Sequence, residues 1–574
     1  MNKIIFSLLD KKKKFQLKIM FFLIAVYFFF EFASLASIPI FVGILASPDL
    51  VINKVQNFLN LSLLDKYSNT QFQILAAFLV ILIFLIKNIY LVLITIYESK
   101  FLKNFKVYIS NKLFNYYTEL PYHYHLKNNP SKLTRIVSDD VQSASGYIQH
   151  TLSLTREVIA LTVIFVLLLI VNWALALTIF LLLILVSSIY LKIIKPFLKQ
   201  AAKKNQSLRK SMFQTISEVF GIIKEVKVYS KENQVKEFYN QNNAEFEKNL
   251  YYFYIINKLP RVILEIFALS LIILVSLIFF NISDDYTKHF PTLALLTAAT
   301  VRFIPAFNGI VSGLSYLKIY SVSIDLISRE IDEMKNFEID ELNKKIFIKK
   351  ESLNKDGYLR LHNLSFKYHS QDQYLLKNIN LNIEKGSKTA VIGETGSGKS
   401  TLANLILGLF IPQEGDISFE GESIYTNISK WRKRIGYVPQ KTYLLDSTIE
   451  KNITFDFFED KVDYEKMEKA IHLSSLSEKI KELPHGLKTR VGTDGLKFSG
   501  GEKQRMALAR AIYHNHSILV MDEFTSALDK NTENKILSNL SNFLKEKTCI
   551  IVSHRSNTIK DCNKILNLSD KIKN

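Results

Sequence analysis

Cysteine is nearly absent from this chain: its 574 residues hold two, Cys549 and Cys562, both in the C-terminal half. So few are at odds with a disulfide framework and suit a reducing compartment. Cys549 sits in an apolar run and is expected to be a buried strand residue with no chemistry of its own. Acidic charge is also short, since 53 Asp and Glu against 73 Lys and Arg leave a net charge of +20. A surplus of that size raises nucleic acid as a partner, but its distribution points elsewhere. Lys11 to Lys14 stand just before the first long apolar run, and further Lys and Arg crowd the loops after the second and fourth. Positive charge beside such runs marks the cytoplasmic side of a membrane. No clear cleavage site follows the first run, which is also too long for a signal-peptide core, so it is expected to be retained.

What the chain does have is two unlike halves, more than one core normally holds. The first carries repeated apolar runs of about 20 residues, long enough to span a bilayer. Spans are predicted at 19–46, 74–97, 150–171, 173–194, 259–280 and 291–316. Six spans put both termini on the same side, inside. The long polar connections after the second and fourth are expected to be helices protruding into the cytoplasm. The external loop 47–73 carries Val51, Ile52, Val55, Phe58, Leu59 and Leu63 at near-helical spacing. Both an amphipathic helix on the outer membrane face and an ordinary packed helix fit that pattern.

Ionisable residues fall inside the spans: Glu31, Lys87 and Arg302, with Arg261 and Glu265 near the inner end of the fifth. Such groups cost several kcal/mol in a bilayer unless paired or wet, and are expected to face inward. Two readings stay open. Glu31 can pair structurally with Lys87 or Arg302, or the set can line a cavity for an anionic cargo, its three cations outnumbering its two acids.

Past a charged linker, 323–356, the second half alternates short strands and helical segments as a soluble α/β domain does. Residues 389–401 read Thr-Ala-Val-Ile-Gly-Glu-Thr-Gly-Ser-Gly-Lys-Ser-Thr, an apolar strand, a glycine-rich loop and a helix start. Gly393, Gly398, Lys399 and Ser400 fit G-x-x-x-x-G-K-[ST]. In that motif backbone N–H groups curl around phosphates, the lysine reaches the β- and γ-phosphates, and the hydroxyl ligates Mg²⁺. Glu394, Thr395, Gly396, Ser397 and Thr401 complete the predicted nucleotide clamp. The run 518–523, Ile-Leu-Val-Met-Asp-Glu, is an apolar strand ending in acids. Asp522 is expected to hold Mg²⁺, and Glu523 to orient or deprotonate the attacking water. Between them lie Gln440, after the strand-like 435–438, and a glycine-rich turn, Phe498-Ser499-Gly500-Gly501-Glu502, that enters a helix. That turn is a second candidate anion site.

With these elements in order the chain resembles the ATP-binding cassette transporters over nearly its whole length. The resemblance implies an aromatic A-loop at Tyr368, Walker A at 393–401, the Q-loop at Gln440, which also contacts the metal, and the signature at 498–502. It further implies Walker B through Glu523, a D-loop at 526–529 whose Asp529 faces nucleotide, and a switch histidine at His554. Phe498 and Glu502 depart from the usual Leu-Ser-Gly-Gly-Gln, and a carboxylate at 502 is expected to slow ATP capture. In this family each ATP lies between one cassette's Walker A and the other's signature, so one of each implies a homodimer. Coupling helices are implied at 122–130 and 219–229.

The membrane half resembles the PglK-type flippases of lipid-linked oligosaccharides that serve bacterial protein N-glycosylation. The likeness rests on Glu31, Lys87, Pro260-Arg261, and Arg302-Phe303-Ile304-Pro305 with Asn308. Gly309 and Lys87 stand where arginines are expected, so the head group can differ. The fold implied is a membrane α-helical exporter domain of six helices at 1–322, the linker 323–356, and an α/β P-loop cassette at 357–574. The function implied is ATP-driven, Mg²⁺-dependent flipping of a polyprenyl-diphosphate glycan across the bacterial inner membrane by a homodimer, its cassettes cytoplasmic and its spans among membrane lipids. Other export cargoes (another lipid such as lipid A, a peptide, a hydrophobic drug) and a non-transporting ATP-gated regulator are the rivals. A soluble cassette acting on nucleic acid does not fit the spans.

Overall fold

The computed structural model describes residues 8–46, 69–171, 173–282, 290–348, 358–368, 372–458, 461–492, 495 and 497–569. The expected amphipathic segment at the outer loop lies almost wholly outside the described residues.

The chain divides into two compact units, Met1–Glu119 with Asn128–Lys335, and Leu120–Lys127 with Asn336–Asn574. Among the described residues the first is all helix, with α1 (Lys11–Ala46), α2 (Asn69–Glu119), α3 (Val141–Val171), α4 (Trp173–Gly221), α5 (Glu232–Ile282) and α6 (Phe290–Ile348) as its long elements. Among the described residues, five candidate spans are long and apolar enough to cross a membrane, at Lys11–Ala46, Asn69–Glu119, Pro130–Val171, Glu232–Ile278 and Phe290–Met334. The remaining predicted span, 173–194, falls within α4, many of whose side chains lie outside the described residues. Apolar side chains both fill and coat this unit. Val163, Leu167, Leu264, Leu295, Phe303 and Phe307 form a buried cluster between helices. Ile74, Phe78 and Ile81 on α2 stay exposed, as a lipid-facing surface requires. Pro39, Pro260 and Pro305 lie inside helices, which membrane helices tolerate when neighbours satisfy the freed carbonyls. Helix α6 runs without a break into the charged stretch read as linker.

Of the two segments expected as coupling helices, Tyr122–Lys127 forms a short helix that belongs to the second unit, where the Tyr122 ring lies 5.8 Å from that of Phe410. At the other, α4 ends at Gly221 and a separate short helix, Ile223–Val228, follows.

Among the described residues the second unit forms two sheets. Strands β1 (Leu359–Phe366), β2 (Leu376–Ile383), β4 (Glu414–Phe419) and β5 (Glu422–Ser423) form an antiparallel sheet in the order β2-β1-β4-β5. Strands β3 (Lys388–Ile392), β6 (Ile435–Val438), β7 (Ile518–Asp522), β8 (Thr548–Val552) and β9 (Lys564–Asn567) form a parallel sheet in the order β6-β7-β8-β3-β9. Every residue of β7 and β8 is buried, the pattern of a parallel strand covered on both faces. This order places the site. β8 separates β3 from β7, with Val552 level with Val391 on one side and Asp522 on the other. β6 flanks β7, with Val438 level with Met521. The loops leaving β3, β6, β7 and β8 therefore emerge together at the carboxyl edge, where open α/β sheets bind ligands.

Candidate nucleotide site and intramembrane charge cluster

The loop after β3 turns into helix α7 (Lys399–Ile406) through Gly398, which caps the helix at φ 89°. A side chain there would be strained, and its Cβ would come within 2.8 Å of Leu376 Cδ2. The loop follows the helix-opening geometry that presents N–H groups to an anion. Lys399 is 8 % exposed, and its ammonium donates to the carbonyls of Gly393 and Glu394, each at 2.8 Å. Burial lowers its pKa, opposed by the nearby Glu523 and Asp522 carboxylates. The Ser397 hydroxyl in the same loop is buried with no hydrogen-bond partner. Tyr368 donates to or accepts from Thr401 Oγ1 at 2.9 Å and packs edge-on to Phe366 and Phe410, placing its ring beside α7.

Asp522, at the end of β7, is hydrogen-bonded to the Ser400 hydroxyl, while its Oδ1 is buried without a partner. Burial holds its carboxyl above the ordinary range, against the effects of Ser400 and Lys399. A buried carboxylate oxygen lacking a donor, beside a hydroxyl, is the oxygen-rich set a hard divalent cation takes, so Ser400 and Asp522 fit Mg²⁺.

Glu523 follows at φ 43°, a left-handed conformation that costs a non-glycine residue free energy and clusters at functional sites. Gln440, after β6, donates to its Oε2 at 2.6 Å, and His554 Nε2, after β8, lies 3.7 Å from its Oε1. The three residues expected to act on water thus meet on one carboxylate. Gln440 thereby touches the expected base.

Two residues not anticipated for this site hold the turn after β7. Gln504, buried on α8 (Gly500–Tyr513), donates to Glu523 O at 3.2 Å and Ser526 Oγ at 2.9 Å, and accepts from Ala527 N at 3.0 Å. Arg555, next to His554, donates to Ser526 O, Leu528 O and the buried carboxylate of Glu533. Asp529 caps the next helix, accepting from Asn531 N and Thr532 N at 3.1 and 2.9 Å.

The signature turn opens α8 with a capping box. Glu502 Oε2 accepts from Ser499 N at 2.7 Å and Ser499 Oγ at 3.0 Å, while Glu502 N donates back to Ser499 Oγ at 3.3 Å. Lys479 lies 3.3 Å from the other carboxylate oxygen. Partial burial opposes ionisation of Glu502, yet Ser499 and Lys479 outweigh it and hold its pKa below the ordinary value. Gly500 and Gly501 form the first turn of the helix.

In the membrane unit Glu31 pairs with both of its candidate partners. Its carboxylate is fully buried and accepts from Tyr27 Oη at 2.6 Å, lies 3.3 Å from Lys87 Nζ, and forms an ion pair with Arg302 Nε. Arg302 also reaches Glu157 Oε2 at 3.7 Å. The expected surplus of positive charge is corrected here, because Glu157 brings the cluster to two cations and two acids. A second pair, Arg156 with Glu98, lies one residue away. Arg261 does not join the cluster. Pro260 and Leu264 define the buried face of α5, and Arg261, one residue round the helix, is exposed, as is Glu265. Gly309 has a role that a further arginine there would abolish: a Cβ would lie 2.8 Å from Glu157 Cγ, so the bare backbone leaves room for the acid.

Comparison with known proteins agrees with both halves. A family model described as ABC transporter matches residues 376–526, and one described as ABC transporter transmembrane region matches 40–287. The ATP-dependent lipid A-core flippase of Pasteurella multocida is 39% identical over 214 residues, 37% of each chain. The protein of the same description from Cupriavidus pinatubonensis is 26% identical over 467 residues, 79% of this chain and 76% of its own. The chain spans about a third of the length of the first curated relatives it matches. The structure of a bacterial Atm1-family ABC exporter with ATP bound shares the fold at a TM-score of 0.71 and 21% identity, covering 96% of this chain and 94% of that one.

Proposed function

Because this chain belongs to the ABC transporters, through its cassette and its transmembrane region alike, we propose that it is an ATP-hydrolysing exporter that flips a lipid-linked cargo across the bacterial inner membrane. One observation carries the reading: Glu523, Gln440 and His554 meet at the sheet edge that also carries Lys399, Ser400 and Asp522. Lys399 exchanges its loop carbonyls for the β- and γ-phosphates when ATP enters. Ser400 and Asp522 would hold Mg²⁺, which would supply charge neutralisation on the phosphates. Glu523 takes the proton of the attacking water, Gln440 fixes the angle of that carboxylate, and His554 stands at its far oxygen.

The chain has one phosphate loop and one signature turn, so two copies complete two sandwiched sites, and the working unit is a homodimer with cytoplasmic cassettes. The cargo we infer is a polyprenyl-diphosphate-linked oligosaccharide. It is supported by the Glu31, Lys87 and Arg302 pattern. Relatives named as lipid A-core flippases favour as the alternative a lipid A-like cargo. Purified protein in proteoliposomes separates the two. ATP-dependent movement of a fluorescent glycan-lipid, with no movement of lipid A, supports the first, and the reverse result supports the second. Absence of ATP hydrolysis would remove both.

A further inference from the structure

We propose that Lys479 is a positioning residue for the signature turn, a cation that offsets the charge Glu502 brings to the phosphate-facing end of α8. This rests on the nucleotide-site reading above and adds a residue to it.

The N-terminus of a helix attracts an anion, and a carboxylate in its first turn satisfies that attraction. In this chain the carboxylate is already there. One oxygen of Glu502 is taken by the backbone N–H and hydroxyl of Ser499, the group expected to meet a γ-phosphate from the partner copy. A phosphate arriving at Ser499 therefore approaches a full negative charge, which the usual glutamine would not present. The second oxygen of Glu502 faces Lys479 at 3.3 Å. That lysine stands on a different helix, Ser477–Glu482, more than a turn of sequence away, so tertiary packing brings the charges together. Its other acid, Glu482, is farther, at 3.9 Å, with a side chain 70% exposed, whereas the Glu502 side chain is only 14% exposed. The tighter, less screened contact is the one at the signature. Lys479 cancels the charge at the site while leaving the carboxylate free to cap the helix. It touches no phosphate itself and acts through Glu502.

The test is a double-mutant cycle on the full-length protein in nanodiscs, reading ATPase rate against ATP concentration. Lys479→Gln should raise the KM for ATP about two- to fivefold, the effect of one screened charge at a helix N-terminus, with a smaller change in kcat. The increase should shrink at high salt, and Lys479→Arg should restore the wild-type KM. In a Glu502→Gln background, Lys479→Gln should leave KM unchanged, because no charge remains to offset. An equal KM increase in both backgrounds, or none in the wild type, overturns the proposal. A wild-type protein that hydrolyses no ATP overturns the transporter reading and this one with it, a result distinct from an active wild type indifferent to Lys479.

Discussion

Gln440 donates its side-chain amide to the Glu523 carboxylate at 2.6 Å, joining the loop after β6 to the end of β7. The contact fixes one oxygen of the carboxylate and leaves the other facing His554. Glu523→Gln keeps the size and both neighbours and deletes the base. ATP binding should persist within about twofold while hydrolysis falls by roughly 10²- to 10⁴-fold, the usual worth of general-base catalysis. Single-turnover hydrolysis beside equilibrium binding measures both. Substantial residual turnover would move the catalytic role to another residue.

Lys399 calls for the opposite split. Its ammonium already bridges two loop carbonyls, and ATP replaces those with charged oxygens. A charge-assisted hydrogen bond is worth about 1.5 to 3 kcal/mol, so Lys399→Ala should weaken ATP binding by roughly ten- to a hundredfold. Titration with a fluorescent ATP analogue reads this directly. Unchanged affinity would count against the assignment.

Asp522 gives a pH signature. Its carboxyl is raised above the ordinary value chiefly by burial, so the folded protein holds that proton more tightly than the unfolded chain does. The resulting stability is fully present below the ordinary carboxylate range and is lost as pH rises through the elevated value. Metal-free wild-type protein should lose thermal stability over that window, and Asp522→Asn should lack this component. Mg²⁺ with nucleotide should restore the loss at neutral pH in the wild type only. Equal pH profiles for the two metal-free proteins would remove the raised Asp522 carboxyl, and an equal response of both to Mg²⁺ with nucleotide would remove Asp522 from the metal site.

The cassette was legible because its chemistry is written locally. Gly393 to Thr401, Asp522 with Glu523, and Gln440 each sit at a strand end, and the parallel order brings those ends together. Glu502 was half legible. Read as a liability, it is also the fourth residue of Ser499-Gly500-Gly501-Glu502, the capping-box spacing, which the sequence displays outright. Lys479 could not be read, since its meeting with Glu502 depends on tertiary packing. Glu157 lay inside a predicted span, and its charge was the available signal. What hid its role is that Gly309 makes room for it from a helix far away in sequence.

The membrane cluster yields the prediction that separates structure from cargo. Glu31 is fully buried and held by Arg302, Lys87 and Tyr27. Arg302→Gln strips its closest cation and also frees Glu157, so the protein should lose about 3 to 5 kcal/mol, as when one partner of a buried pair is removed. Lys87→Gln should cost less, because Arg302 still holds the carboxylate. The double change Glu31→Gln with Arg302→Gln leaves two neutral amides able to bond each other but takes the ion-pair partners from Lys87 and Glu157, so it should recover part of the thermal stability measured in detergent. Transport decides the rest. If Arg302 also meets a diphosphate, the stable double variant still fails to flip glycan-lipid while hydrolysing ATP at its basal rate. Recovery of both stability and flipping would show that these charges only hold α1 to α6, and the diphosphate cargo would lose the residues proposed to bind it.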